Sequence, residues 1–241
     1  MRAEGALLLV LLFVIDFVIL VLHLALKLFG VPGGEHFDLG VDRSYGEMLM
    51  YLKFGWIAIL CIVLARIRRA SVFAMLALGS FILLVEDAVI LHERIGWHLN
   101  TVILETVPAL EGRGILSVQL GELLWLGGLG VLILIGFIIS FRRANVRDRK
   151  DALSIALFFA VLAFFAVIVD TVHSFFGFGS VGDTIFTFIE DGGELVALTP
   201  ATALAFALVL TSLREQRKSA SQLSTTISET DLSGRSPRQR A

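Results

Sequence analysis

Apolar residues fill six stretches of this chain almost without a break, at roughly 6–29, 48–64, 71–91, 123–141, 152–176 and 184–213, and polar or basic segments separate them. About 20 helical residues, each rising about 1.5 Å, cross a hydrocarbon core about 30 Å thick, so each stretch predicts a transmembrane helix. The last is longer than a span needs and has room to tilt or bend. A backbone in lipid must satisfy its own hydrogen bonds, and nothing here alternates with the period of a membrane barrel strand. The expected fold class is therefore all-α, a polytopic membrane bundle of six transmembrane helices.

Composition supports that reading. Of the 241 residues 56% are hydrophobic and only 17% charged, against about 25% charged in a soluble domain, and the mean hydropathy is +0.85. The first stretch follows Arg2 as a secretory signal would, but it is too long and no small-residue cleavage site follows it. The single cysteine, Cys61, permits no intrachain disulfide. A phosphate-binding glycine loop, a nucleophile elbow and a basic aromatic surface for nucleic acid are all missing from the sequence, and the partner implied is the lipid bilayer.

Charge sets the orientation. Arg2, the trio Arg66, Arg68 and Arg69, the group Arg142, Arg143, Arg147, Arg149 and Lys150, and finally Arg214, Arg217 and Lys218 all fall on one set of alternate loops and ends. Basic loops stay inside, which predicts cytoplasmic N- and C-termini in a plasma membrane. Residues 1–218 form the expected membrane domain. The stretch 219–241, rich in Ser, Thr, Arg and Gln, is expected to be a disordered cytoplasmic tail.

Seven carboxylates interrupt the apolar stretches: Asp16, Glu86, Asp87, Asp170, Glu190, Asp191 and Glu194. Orientation turns their positions into depth. Glu86 comes after about 22 Å of rise from the inner end of the third span, which puts it in the outer third. Asp170 and His173 fall late in the outward-running fifth span, and Glu190, Asp191 and Glu194 early in the inward-running sixth, so all three sets share a depth. Glu190 and Glu194 are four apart, and Asp170 and His173 three apart, so each pair shares a helix face; Asp16 and His23 lie two turns apart on the first span. Adjacent Glu86 and Asp87 diverge by about 100° around their helix.

An ionised Asp at mid-helix costs about 2.5 to 3.5 kcal/mol on insertion scales, and the sequence suggests no deeply placed Lys or Arg to answer these acids. Protons, imidazolium from His23, His92 or His173, or a metal ion must then neutralise them.

The stretches "FDLGVDRSYGEMLMYLKFGWIAILCIVLARIRR", "FILLVEDAVILHERIG" and "FIEDGGELVAL" resemble a family of uncharacterised bacterial multi-pass membrane proteins. Its members carry an "FDL" entry to the second span, an Asp-Glu pair followed by "LHE", and a late Glu-Glu pair with another Glu three residues on. This chain has Glu86-Asp87 in the reverse order and Glu190-Asp191 in place of two glutamates, which moves each carboxylate by about one methylene. The resemblance implies the multi-pass architecture and the importance of the acidic positions, and it supplies no activity.

Three functions remain open from the sequence. The first is a divalent metal site (Zn, Fe or Mn) built from Glu86, Asp87, His92, Asp170, His173, Glu190, Asp191 and Glu194, with Asp16 and His23 as secondary candidates; oxygen ligands with one or two imidazoles suit those metals. Such a centre would allow a membrane-embedded metalloenzyme acting on a lipid-like substrate. The second is proton- or cation-coupled transport, for which intramembrane acids beside Gly192-Gly193 and Thr199-Pro200 are suitable devices. The third is structural or assembly use of the acids near helix ends, the expected role of Glu47, Glu93, His98 and Glu122.

Overall fold

The computed structural model describes residues 3–107, 115–176 and 179–234, with side chains described except at 115–119 and 223–234. Its helices are α1 (Ala3–Phe29), α2 (Tyr45–Arg68), α3 (Ser71–Ala88), α4 (Leu91–Thr106), α5 (Ile115–Arg143), α6 (Val146–His173) and α7 (Val181–Gly234). All but α4 are long and apolar enough to cross a membrane, and among the described residues there is no strand. The chain is thus an all-α integral membrane protein with six spans.

The ends of the helices follow ordinary capping chemistry. Ser44 accepts a hydrogen bond from the Glu47 N–H at the start of α2 (3.2 Å), and Asn145 does the same for Asp148 at the start of α6 (2.9 Å). Arg69 turns left-handed (φ 53°) after α2, so that α3 begins two residues later and packs back along it.

The core lies between α2, α3, α6 and α7, where Ile57, Cys61, Leu64, Phe73, Ile155, Leu195 and Leu198 are buried. Small residues on α7, among them Ala197, Ala201 and Ala205, admit the neighbouring helices closely, and Gly5 of α1 sits against Ala207. α5 is peripheral, packing mainly on α3 and α4. Large apolar side chains such as Leu7, Phe17, Leu132, Leu157 and Phe175 remain exposed, the expected face toward lipid.

The start of α1 and the stretch of α7 around Arg214 lie at one end of the bundle, where Glu4 pairs with Arg214 and Arg147 with Glu215 (2.7 Å). Arg68 reaches Asp148 (3.0 Å), Asp151 (2.5 Å) and Ser212 (2.8 Å) there. Several of the arginines that set the predicted orientation therefore also tie α2, α6 and α7 together.

Three boundaries differ from the sequence expectation. The third span stops at Ala88 instead of running on to residue 91: Ile90 adopts φ 54°, a left-handed conformation that costs a β-branched residue, and a separate helix α4 starts at Leu91. α5 begins at Ile115, well before the apolar run at 123, and brings Glu122 into the helix. The last helix continues to Gly234, through much of the stretch expected as a tail, and residues 235–241 lie outside the described residues.

Candidate functional site: an acidic cavity opposite the termini

A cavity of about 460 Å³ opens in the half of the bundle away from the termini. α2, α3, α4, α5, α6 and α7 and the loop before α2 all contribute to its wall. Leu39, Met50, Phe54, Leu83, Leu123, Leu126 and Leu162 form its apolar part. Between them stand Asp42, Glu47, Glu86, Asp87, Glu93, Glu122, Asp170, Glu190, Asp191 and Glu194, and the basic residue among the described lining is His92. The depth argument from the sequence thus holds in three dimensions: Glu86, Asp87, His92, Asp170, Glu190, Asp191 and Glu194 meet at one cavity.

Local backbone features aim these groups. The left-handed turn at Ile90 redirects the chain after Glu86 and Asp87, so that His92 at the start of α4 bonds back to Glu86 (Nδ1 to Oε1, 3.0 Å). Burial disfavours the charged imidazole, but the hydrogen bond and charge of Glu86, with Glu122 and Glu93 behind it, prevail and raise His92 from 6.5 to about 9. In α6 the turns widen to a π-helix over Phe164–Val169 immediately before Asp170. Gly193 of α7 leaves the space that the Phe165 ring of this segment occupies.

His173 does not line the cavity; it stands behind it. Its Nδ1 meets Glu190 (2.6 Å) and its Nε2 meets Asp183 (3.0 Å), an arrangement that uses both donors of an imidazolium. Phe186 stacks on the ring. Glu47 is held by the Tyr51 hydroxyl and the Arg43 N–H. By contrast, no basic side chain among the described residues makes an ion pair with Asp87, Asp191 or Glu194.

The two secondary candidates are elsewhere. Asp16 is buried against Lys53, whose Nζ lies 2.5 Å from Asp16 Oδ1 and 2.8 Å from the Leu195 carbonyl oxygen, and Thr199 donates to Asp16 Oδ2 (2.5 Å). This corrects the expectation that no deep Lys or Arg answers the acids: Lys53 is fully buried and neutralises one of them. His23 is also buried and accepts the Leu39 N–H at Nδ1 (3.0 Å). Lys27 bonds Asp38 (2.6 Å). His23 and Lys27 therefore fasten the loop that carries Leu39 and Asp42 into the cavity wall.

The expected metal centre has no ready-made form. Among the described residues no group of three or more His, Cys, Asp or Glu side chains is placed to hold a metal ion directly. A metal bound through its own side-chain ligands requires several such atoms close around one point, whereas these acids line a chamber. Lys53 and Asp183 escaped the sequence reading, as did the bond from Thr199 to Asp16 and the cavity positions of Glu47, Glu93 and Glu122.

Fold and site together define an integral membrane helix bundle with an acidic chamber near one face. The chain belongs to the family described as Domain of unknown function (DUF8692), which matches residues 5–211. Neither the curated proteins nor the solved structures include a match to it.

Proposed function

We propose that this protein binds cations in the acidic cavity and that this binding is the loading step of proton- or cation-coupled transport. One observation carries the reading: carboxylates from five spans and from α4 converge on one chamber whose described lining offers a single basic residue, His92. Intramembrane acids are costly unless paired, and a cation entering the chamber supplies the missing charge. At about 30 Å³ per water, an ion with a full shell of six waters takes on the order of 200 Å³, which the cavity accommodates. The geometry favours a cation held partly through its waters, or a small organic cation, over a bare ion clasped by side chains. Zn, Fe or Mn entering this way would meet Glu86, Asp87, Asp170, Glu190, Asp191 and Glu194, with His92, once it gives up its proton, as the imidazole in the wall; His173 stands behind that wall with both ring nitrogens bonded.

The basic residues at the termini end support placing that end in the cytoplasm. The cavity then faces outward from a plasma membrane, and the part of α7 beyond 218 extends on the inner side. A transport route needs polar groups deeper than the chamber, and the Lys53, Asp16 and Thr199 cluster provides them.

Liposomes containing the purified protein test the reading. Cation flux that saturates with concentration and falls at least severalfold in Glu194→Gln supports transport. Saturable binding without flux moves the function to a resident metal, and elemental analysis of the purified protein then identifies it. Absence of both returns the acids to an assembly role.

A further inference from the structure

The buried Lys53 ammonium occupies a setting that has the composition of a cation site. Around it stand a carboxylate oxygen of Asp16 (2.5 Å) and the Leu195 carbonyl (2.8 Å), with the Thr199 hydroxyl on the second Asp16 oxygen. Lys53, Asp16 and Thr199 are each at most 1% exposed. Carboxylate, carbonyl and hydroxyl oxygens are the ligands of hard cations, and transporters recruit main-chain carbonyls for this where a helix is interrupted. Pro200 stands inside α7 at this level without breaking it, and its missing N–H leaves the Val196 carbonyl, next to Leu195, without its usual helix bond.

The setting also adjoins the chamber. Met50 and Phe54, on either side of Lys53 along α2, line the cavity, and so does Glu194, next to Leu195 on α7. Thr199 follows Glu194 by five residues, about 7.5 Å farther toward the termini. We infer that Asp16, Leu195 and Thr199 form a second, inner site for a monovalent cation, and that Lys53 is its tethered competitor. The exchange is balanced in atoms and charge: one cation enters against Asp16, the Lys53 ammonium becomes a neutral amine, and its proton leaves to solvent. The inference deepens the transport reading, on which it rests, by naming the coupling ion as a proton.

Full-length protein in detergent, weakly buffered at alkaline pH with a pH-sensitive dye, receives Na⁺ or K⁺, with a choline salt at equal ionic strength as control. The unaltered chain is expected to release about one proton more per molecule than Lys53→Arg, because a guanidinium keeps the ion pair and does not give up its proton. Thr199→Val, which leaves the pair in place, is expected to raise the half-saturating cation concentration severalfold, and it serves as the comparison if Lys53→Arg does not fold. Equal proton release from the unaltered chain and Lys53→Arg, or an unshifted response in Thr199→Val, overturns the inference. Mn²⁺ binding to the cavity is read on the same samples through its loss in Glu194→Gln. If that binding survives while the Lys53-dependent proton is missing, only the inner site fails. If the proton is released without Mn²⁺ binding, the inner site stands and the cavity reading fails.

Discussion

Lys53 and Asp16 meet at 2.5 Å although 37 positions separate them in the chain, and neither side chain is more than 1% exposed. Removing one member leaves the other charged and unpaired inside the bundle, which in buried pairs costs about 3 to 5 kcal/mol. Lys53→Met and Asp16→Leu are each expected to lose about that much, and the double variant far less than their sum. Chemical unfolding in detergent measures all three, and additive losses would mean that the two groups do not depend on each other.

The His92 to Glu86 contact makes stability depend on pH with a definite sign. The folded protein holds the His92 proton more tightly than the ordinary value of 6.5, up to about 9. Its contribution is complete below 6.5 and is lost as pH rises through about 9. Relative to Glu86→Gln, the unaltered chain is expected to lose stability across that window. Parallel stability curves for the two proteins would refute the pairing.

α4 and α5 pack through glycine. A Cβ at Gly121 would run into the Gly96 backbone, and one at Gly96 into Glu122, whereas Gly127 and Gly128 have open space. Overpacking of this kind costs about 1 to 3 kcal/mol, so Gly121→Val is expected to lower the unfolding temperature while Gly127→Ala leaves it nearly unchanged. Equal responses would show that the two helices do not make this close approach. Because Glu122 and His92 line the cavity from these helices, Gly121→Val is also expected to weaken cation binding there.

The spans were legible because runs of apolar residues and the cost of open backbone in lipid leave few alternatives. Convergence of Glu86, Asp170 and Glu194 was legible too, since a helix fixes depth by residue number once orientation is known. Lys53 was not, because its meaning lies in Asp16 and Leu195, partners distant in sequence, and a lone Lys in an apolar run gives no sign of them. The turn at Ile90 carries no Gly or Pro to mark it, so the third span read as continuous and α4 was missed. Glu47 and Glu122 looked interfacial because the apolar runs start after them, whereas their helices start before them, at Tyr45 and Ile115.

Mn²⁺ titration of the purified protein, followed by the loss of the free-ion electron paramagnetic resonance signal, tests the acidic cavity most directly. The expected result is saturable binding that Asp191→Asn combined with Glu194→Gln weakens by about tenfold or more, equivalent to about 1.4 kcal/mol. Absence of saturable binding, or binding that the double variant leaves intact, would contradict a cation-loading function for this chamber.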